Sequence, residues 1–211
     1  MSADEVDRFD VVTRVVHWST AVLGLAALGT GTVLYVPELS AAVGLRAVVK
    51  NVHVVSGLLC LVPVVVGAAL GPTGRRLRRD VSELGRWTAS DRRWVRRRTR
   101  GLPGGKFNGG QKLVTALFAG LLVLQYMTGS VMYWHDPFTD SWRTGATFVH
   151  DWAFIGLAIA TLGHVIKAIG EPELLGSMWR GTVPRAWAAR ERPGWRGPAP
   201  SGDAPPDRGI T

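Results

Sequence analysis

The chain has 211 residues, 46% of them hydrophobic, with a mean hydropathy of +0.12. That apolar content excludes disorder of the whole chain, and a single cysteine, Cys60, excludes an internal disulfide framework and any cysteine-held zinc or iron–sulfur site. Lys and Arg outnumber Asp and Glu by 25 to 16, giving +9 and a pI near 10.7, so the position of the charges decides whether they point to nucleic acid.

The first ten residues carry Asp4, Glu5, Asp7 and Asp10, which with the length of the following apolar run argues against a signal peptide. Four apolar stretches follow, each long enough for the roughly 20 residues of helix that cross a bilayer: 15–36, 51–70, 113–134 and 148–169. The first three contain no Asp, Glu, Lys or Arg. The fourth holds Asp151 and Lys167 near its ends, where charges snorkel to the headgroups. Pro63 in the second stretch is tolerable because a neighbouring helix can satisfy the freed carbonyl. A soluble helical protein would need more polar surface than four such runs leave in so short a chain.

Between the second and third stretches lies a basic linker, residues 71–112. Its segment 75–100 interleaves Leu77, Leu84, Trp87, Trp94 and Val95 with arginines, the pattern of an amphipathic helix on the inner leaflet or of a solvated basic loop. After the fourth stretch, residues 172–192 read as an interfacial segment, and the Pro- and Gly-rich 193–211 as a disordered tail. The whole of 1–192 is thus one membrane domain. Its fold class is all-α: an integral membrane four-helix bundle.

Basic residues set the orientation. The linker holds 13 Lys and Arg, the segment from Lys167 onward holds 7, and Arg8 and Arg14 lie on the same side. Only Arg46, Lys50 and Arg143 fall on the other, which places both termini and the linker in the cytoplasm by the positive-inside rule. The charges are accounted for without nucleic acid. Trp18, Trp134, Trp142 and Trp152 sit near span ends, as interfacial anchors do.

The histidines carry the chemistry. His150 and His164 lie 14 residues apart in one span, about 21 Å along a helix and within about 40° of one face. His53 matches the outer level of His150, and His17 the inner level of His164. Two histidine pairs at two depths suit two b-type haems stacked across the bilayer, each iron held by two neutral imidazoles. Zinc or copper would want three or four ligands at one level. His135 has no partner at its level and reads as an interfacial residue. Arg14, one turn before His17, is either a partner for an inner-haem propionate or a snorkelling arginine. Gly24, Gly29, Gly31, Gly57, Gly67, Gly120, Gly129, Gly156 and Gly163 let helices approach a macrocycle or simply each other.

These features resemble the cytochrome b (gamma) subunit of membrane-bound respiratory formate dehydrogenases over residues 8–192. The shared residues are Arg14-Val-Val-His17-Trp18, His53, the stretch Gly105-Lys106-Phe107-Asn108-Gly109-Gly110-Gln111-Lys112, then His150 and His164, and the tail Met178-Trp-Arg-Gly181-Thr-Val183 with Trp187-Ala188. The histidine start is shared with other dihaem cytochromes, including hydrogenase b subunits. The Gly-Lys-Phe-Asn stretch is more specific. Family tails often end Trp-Ala-x-x-His, whereas Arg192 and its neighbours stand here.

The resemblance implies that His53 and His150 hold the outer haem, and His17 and His164 the inner one. It also implies that Asn108 and Gln111 lie by a quinone site, although as polar residues before an apolar run they equally suit a helix cap. The implied partners are an iron–sulfur beta subunit, a molybdenum or tungsten formate dehydrogenase alpha subunit, the quinone pool (menaquinone or ubiquinone) and the lipid of the inner (plasma) membrane. Formate would be oxidised on the alpha subunit, and electrons would cross through this chain to quinone near the cytoplasmic face. The alternatives are the cytochrome b of a nickel–iron hydrogenase or another molybdenum oxidoreductase, a haem-free anchor, and a proton-relaying transporter. The last would call for carboxylates in mid-membrane, and the spans have none there.

Overall fold

A computed structural model describes residues 4–97, 105–134 and 136–195. A short strand, β1 (Glu5–Asp7), leads into α1 (Val11–Tyr35), whose start is fixed by the Asp10 carboxylate accepting from the Thr13 amide at 2.9 Å. Pro37 opens the short α2 (Pro37–Val43) at the opposite end. The second crossing is two helices, α3 (Arg46–Leu59) and α4 (Val62–Ala69), broken at Cys60 and Leu61. The break falls where Pro63 lacks an N–H to continue the ladder. This crossing begins at Arg46 and not at 51, because the helix runs on past its apolar stretch.

Most of the described linker is helical. It forms α5 (Arg75–Gly85) and α6 (Ala89–Arg97), which settles 75–97 in favour of amphipathic helices over a loop. Leu77 and Asp80 point inward from α5, while Arg75, Arg78, Arg79 and Arg86 line a groove on its outer side. The third and fourth crossings are α7 (Gly109–Tyr133) and α8 (Asp140–Ile169). At 30 residues α8 is about 45 Å long, so it projects beyond a hydrocarbon core of about 30 Å. All four crossings are long and apolar enough to span a membrane, as expected, and few of their residues are buried inside the protein. Ile159 is 68% exposed, which suits a surface solvated by lipid.

The chain closes with α9 (Pro172–Arg180), β2 (Thr182–Pro184) and α10 (Arg185–Glu191). Strands β1 and β2 pair antiparallel, Val6 opposite Val183, so the two ends of the membrane domain meet on one side of the bundle. Gly181 makes that junction possible. It sits at φ +90°, its carbonyl accepts from the Arg8 and Phe9 amides, and a Cβ there would lie 2.6 Å from the Phe9 carbonyl oxygen. Val183, Trp187 and Ala188 form a small buried cluster with Leu174 and Trp195 around it. The disordered tail expected over 193–211 lies, from 196 onward, outside the described residues.

Packing within the bundle is uneven, and this positions the site. Helix α1 packs along α3 and α4, and α7 along α8, whereas the two pairs touch each other sparsely. Where they face each other, histidines project from α1 and α3 on one side and from α8 on the other.

A two-level histidine site

The four histidines expected as ligands come together in the expected pairs. The His17 and His164 rings have centroids 6.3 Å apart, and those of His53 and His150 are 6.1 Å apart. An imidazole binds a metal through nitrogen at about 2.0–2.1 Å, and its centroid lies about 1.1 Å behind that nitrogen, so two imidazoles on opposite sides of one ion have centroids about 6.3 Å apart. Both pairs meet that spacing. Among the described residues no three His, Cys, Asp or Glu side chains converge on one point. Each pair thus has the spacing that two imidazole ligands of one metal would need. His135 lies outside the described residues.

Small residues make room for the outer rings. A Cβ on Gly31 would lie 3.2 Å from His53 Cε1, and one on Gly129 would lie 3.3 Å from His150 Cε1. Gly29, Gly57, Gly120 and Gly163 have open space where a Cβ would stand, and Gly67 is a close contact to Val16 and Leu77. The His53 Nδ1 lies 3.0 Å from the Ala27 carbonyl, and the His150 Nδ1 lies 2.9 Å from the Thr128 hydroxyl. Such contacts hold a ring by one nitrogen and leave Nε2 for a metal. Phe118 meets His164 edge-on at 5.7 Å.

Arg14 lies beside the inner pair, one turn from His17. Its Nη1 donates to the Trp179 carbonyl in a short contact, while its Nε is buried without a partner among the described residues. Trp18 donates to the Met178 carbonyl at 3.0 Å and stacks on Trp179 at 4.1 Å. The Arg-x-x-His-Trp stretch thus clamps α9 against the start of α1.

Asn108 and Gln111 form a capping box on α7. The Asn108 side chain accepts from the Gln111 amide at 2.8 Å, and the Gln111 side chain accepts from the Asn108 amide at 3.1 Å. Arg192 adds a bond to the Gln111 oxygen at 3.3 Å. The capping role is thereby present. Both side-chain oxygens are engaged, and the two NH2 groups make no hydrogen bond among the described residues.

At the same end of the bundle lies a group of buried charges that the sequence pattern does not mark. Lys112 donates to Asp91 at 2.8 Å and to the Arg86 carbonyl at 2.8 Å. Burial works against the Asp91 charge, but hydrogen bonds from Lys112 and Thr88 outweigh it and hold the carboxyl below the ordinary range. The Lys106–Asp80 pair, 2.5 Å apart, behaves oppositely: burial pushes the Asp80 carboxyl up and the Lys106 ammonium down despite their attraction. Arg8 is 3% exposed, donates to the Lys106 carbonyl at 3.2 Å, and lies 5.2–5.5 Å from the centroids of Phe9, Trp187 and Trp195. Burial, with Arg192 next, lowers its pKa to about 9, so it stays charged at neutral pH. The available signal was the few acids, Asp80 and Asp91, isolated among the linker's arginines.

Fold and site together define an integral membrane helical bundle with two histidine pairs, each at the spacing that two imidazole ligands of one metal would need. Residues 8–181 match the family model of prokaryotic cytochrome b561, and the chain belongs to that family. It is a multi-pass membrane b-type cytochrome. No curated protein matches it in sequence. The family implies b-type haem, and the residues present fit it: imidazoles at bis-ligand spacing, two of them anchored through Nδ1, in the sparse seam between two helix pairs.

Proposed function

We propose that the chain is the dihaem cytochrome b subunit of a respiratory formate dehydrogenase, with His53 and His150 holding an outer haem and His17 and His164 an inner one. The observation that carries this reading is the pair of imidazole contacts, 6.1 and 6.3 Å between centroids, at two depths on one helix. When bound, the haems supply one-electron carriers that link an extracytoplasmic iron–sulfur subunit to a quinone reduced near the cytoplasmic face. The chain's own residues hold the site in place. Arg14, with its Nε free, is positioned one turn from His17 to meet a propionate. Asn108 and Gln111 keep their NH2 groups available to quinone carbonyls, and the basic linker keeps that end open to water and protons. Protons taken up there, with electrons arriving from the other face, make turnover generate a membrane potential.

The formate dehydrogenase assignment rests on the Gly105–Lys112 motif. A nickel–iron hydrogenase partner fits the family equally well. Affinity purification of the tagged chain from mild-detergent membranes separates the two. Co-purification of a molybdenum- or tungsten-containing formate-oxidising pair of subunits supports the first, and recovery of a nickel–iron hydrogenase overturns it in favour of the second.

A further inference from the structure

The two ligand pairs are not held alike. Thr128 donates its hydroxyl hydrogen to the Leu124 carbonyl at 2.7 Å, so toward His150 Nδ1, 2.9 Å away, it offers only lone pairs. The ring nitrogen is therefore the donor. Thr30 repeats the arrangement, donating to the Ala26 carbonyl at 2.6 Å with its oxygen 3.3 Å from His53 Nδ1. The Ala27 carbonyl, which can only accept, lies 3.0 Å from the same nitrogen. Both outer imidazoles are thus Nδ1–H tautomers, which leaves the Nε2 lone pair for a metal.

The inner pair has no such acceptors. His17 Nδ1 is buried with no partner among the described residues, and His164 makes no hydrogen bond there, its ring meeting those of His17 and Phe118. Formal charge is distributed in the same sense. Asp151 follows His150 directly, whereas Arg14 stands one turn before His17; Lys167, one turn after His164, is paired with Glu171.

An imidazole that donates Nδ1–H to an oxygen is the more basic ligand through Nε2, and it favours the oxidised over the reduced metal. A nearby anion acts in the same direction and a nearby cation in the opposite one. We propose that the hydrogen bonds from His53 and His150 to Ala27, Thr30 and Thr128, together with this charge asymmetry, hold the outer haem at a lower reduction potential than the inner. Thr30 and Thr128 are then positioning residues that make the outer-to-inner direction downhill. This inference rests on the two-haem reading above.

The test is a redox titration of the purified full-length chain, followed by haem absorbance. Two one-electron steps are expected, with the lower one missing in His150→Ala and the upper one missing in His164→Ala. Thr128→Val should move the lower step to more positive potential and leave the upper one in place, and Thr30→Val should do the same, each shift being partial because the Gln125 and Ala27 carbonyls remain. Thr128→Ser keeps the hydroxyl and should restore the original value. Loss of the lower step in His164→Ala, or unmoved steps in both valine variants, overturns the proposal. Fewer than two haems per chain is seen in the stoichiometry before any titration; it fails the two-haem reading and the inference with it.

Discussion

Replacing Lys112 by Met takes away the only cation paired with Asp91 among the described residues, and both side chains are 4% exposed. Removing one partner of a buried ion pair leaves an uncompensated charge, at a cost of about 3–5 kcal/mol. For a chain of this size each kcal/mol is about 2–4 °C in Tm, so the expected drop is about 6–20 °C. Circular dichroism of the detergent-solubilised protein during heating reads it directly. Adding Asp91→Asn to Lys112→Met should recover part of the loss, since no charge is then stranded. The pH dependence has a definite sign. Asp91 is held below the ordinary carboxylate range, so its stabilisation is complete above about pH 4–5 and lost as pH falls through the lower folded-state value. That acid-side loss should shrink in Lys112→Met. A variant melting within about 2 °C of the parent would show that the pair does not hold α6 against the start of α7.

Other outcomes follow from the same geometry. His17→Ala or His164→Ala should remove the inner haem from the absorption spectrum, and His53→Ala or His150→Ala the outer, whereas His135→Ala should leave both. If His135 proves necessary for either, the ligand assignment is wrong. The double variant Asn108→Ala, Gln111→Ala should slow quinone reduction while both haems remain reducible by the donor. Unchanged turnover would leave those amides only their capping role. A reporter fused in the linker 71–112 should behave as cytoplasmic and one near Asp140 as extracytoplasmic; the reverse pattern would move the quinone end to the other face.

Much of the fold is legible in the sequence because lipid imposes a simple rule. A spanning segment must be apolar and internally hydrogen bonded, so four apolar runs give four crossings. Their ends are less legible. Composition marks where hydrocarbon stops, not where the helix does, which is why α8 begins at Asp140, eight residues before its apolar stretch. The histidine pairs are legible because helical rise and face convert a spacing of 14 into two depths. What joins them is not. That Thr30 and Thr128 meet the outer rings depends on how α1 seats against α3 and α7 against α8, and a threonine among aliphatic residues carries no sign of it. The buried charges around Lys106 and Lys112 are illegible for a related reason. In a linker dense with arginine, which side chains turn inward is decided by partners far along the chain, such as Arg8 for Lys106 and Arg192 for Gln111.

The central claim, two haem centres each held by one histidine pair, is tested most directly by counting. Pyridine haemochrome analysis of the purified chain against its protein concentration should give two haem b per chain, both low-spin in the oxidised spectrum. One haem per chain, or none, would contradict it.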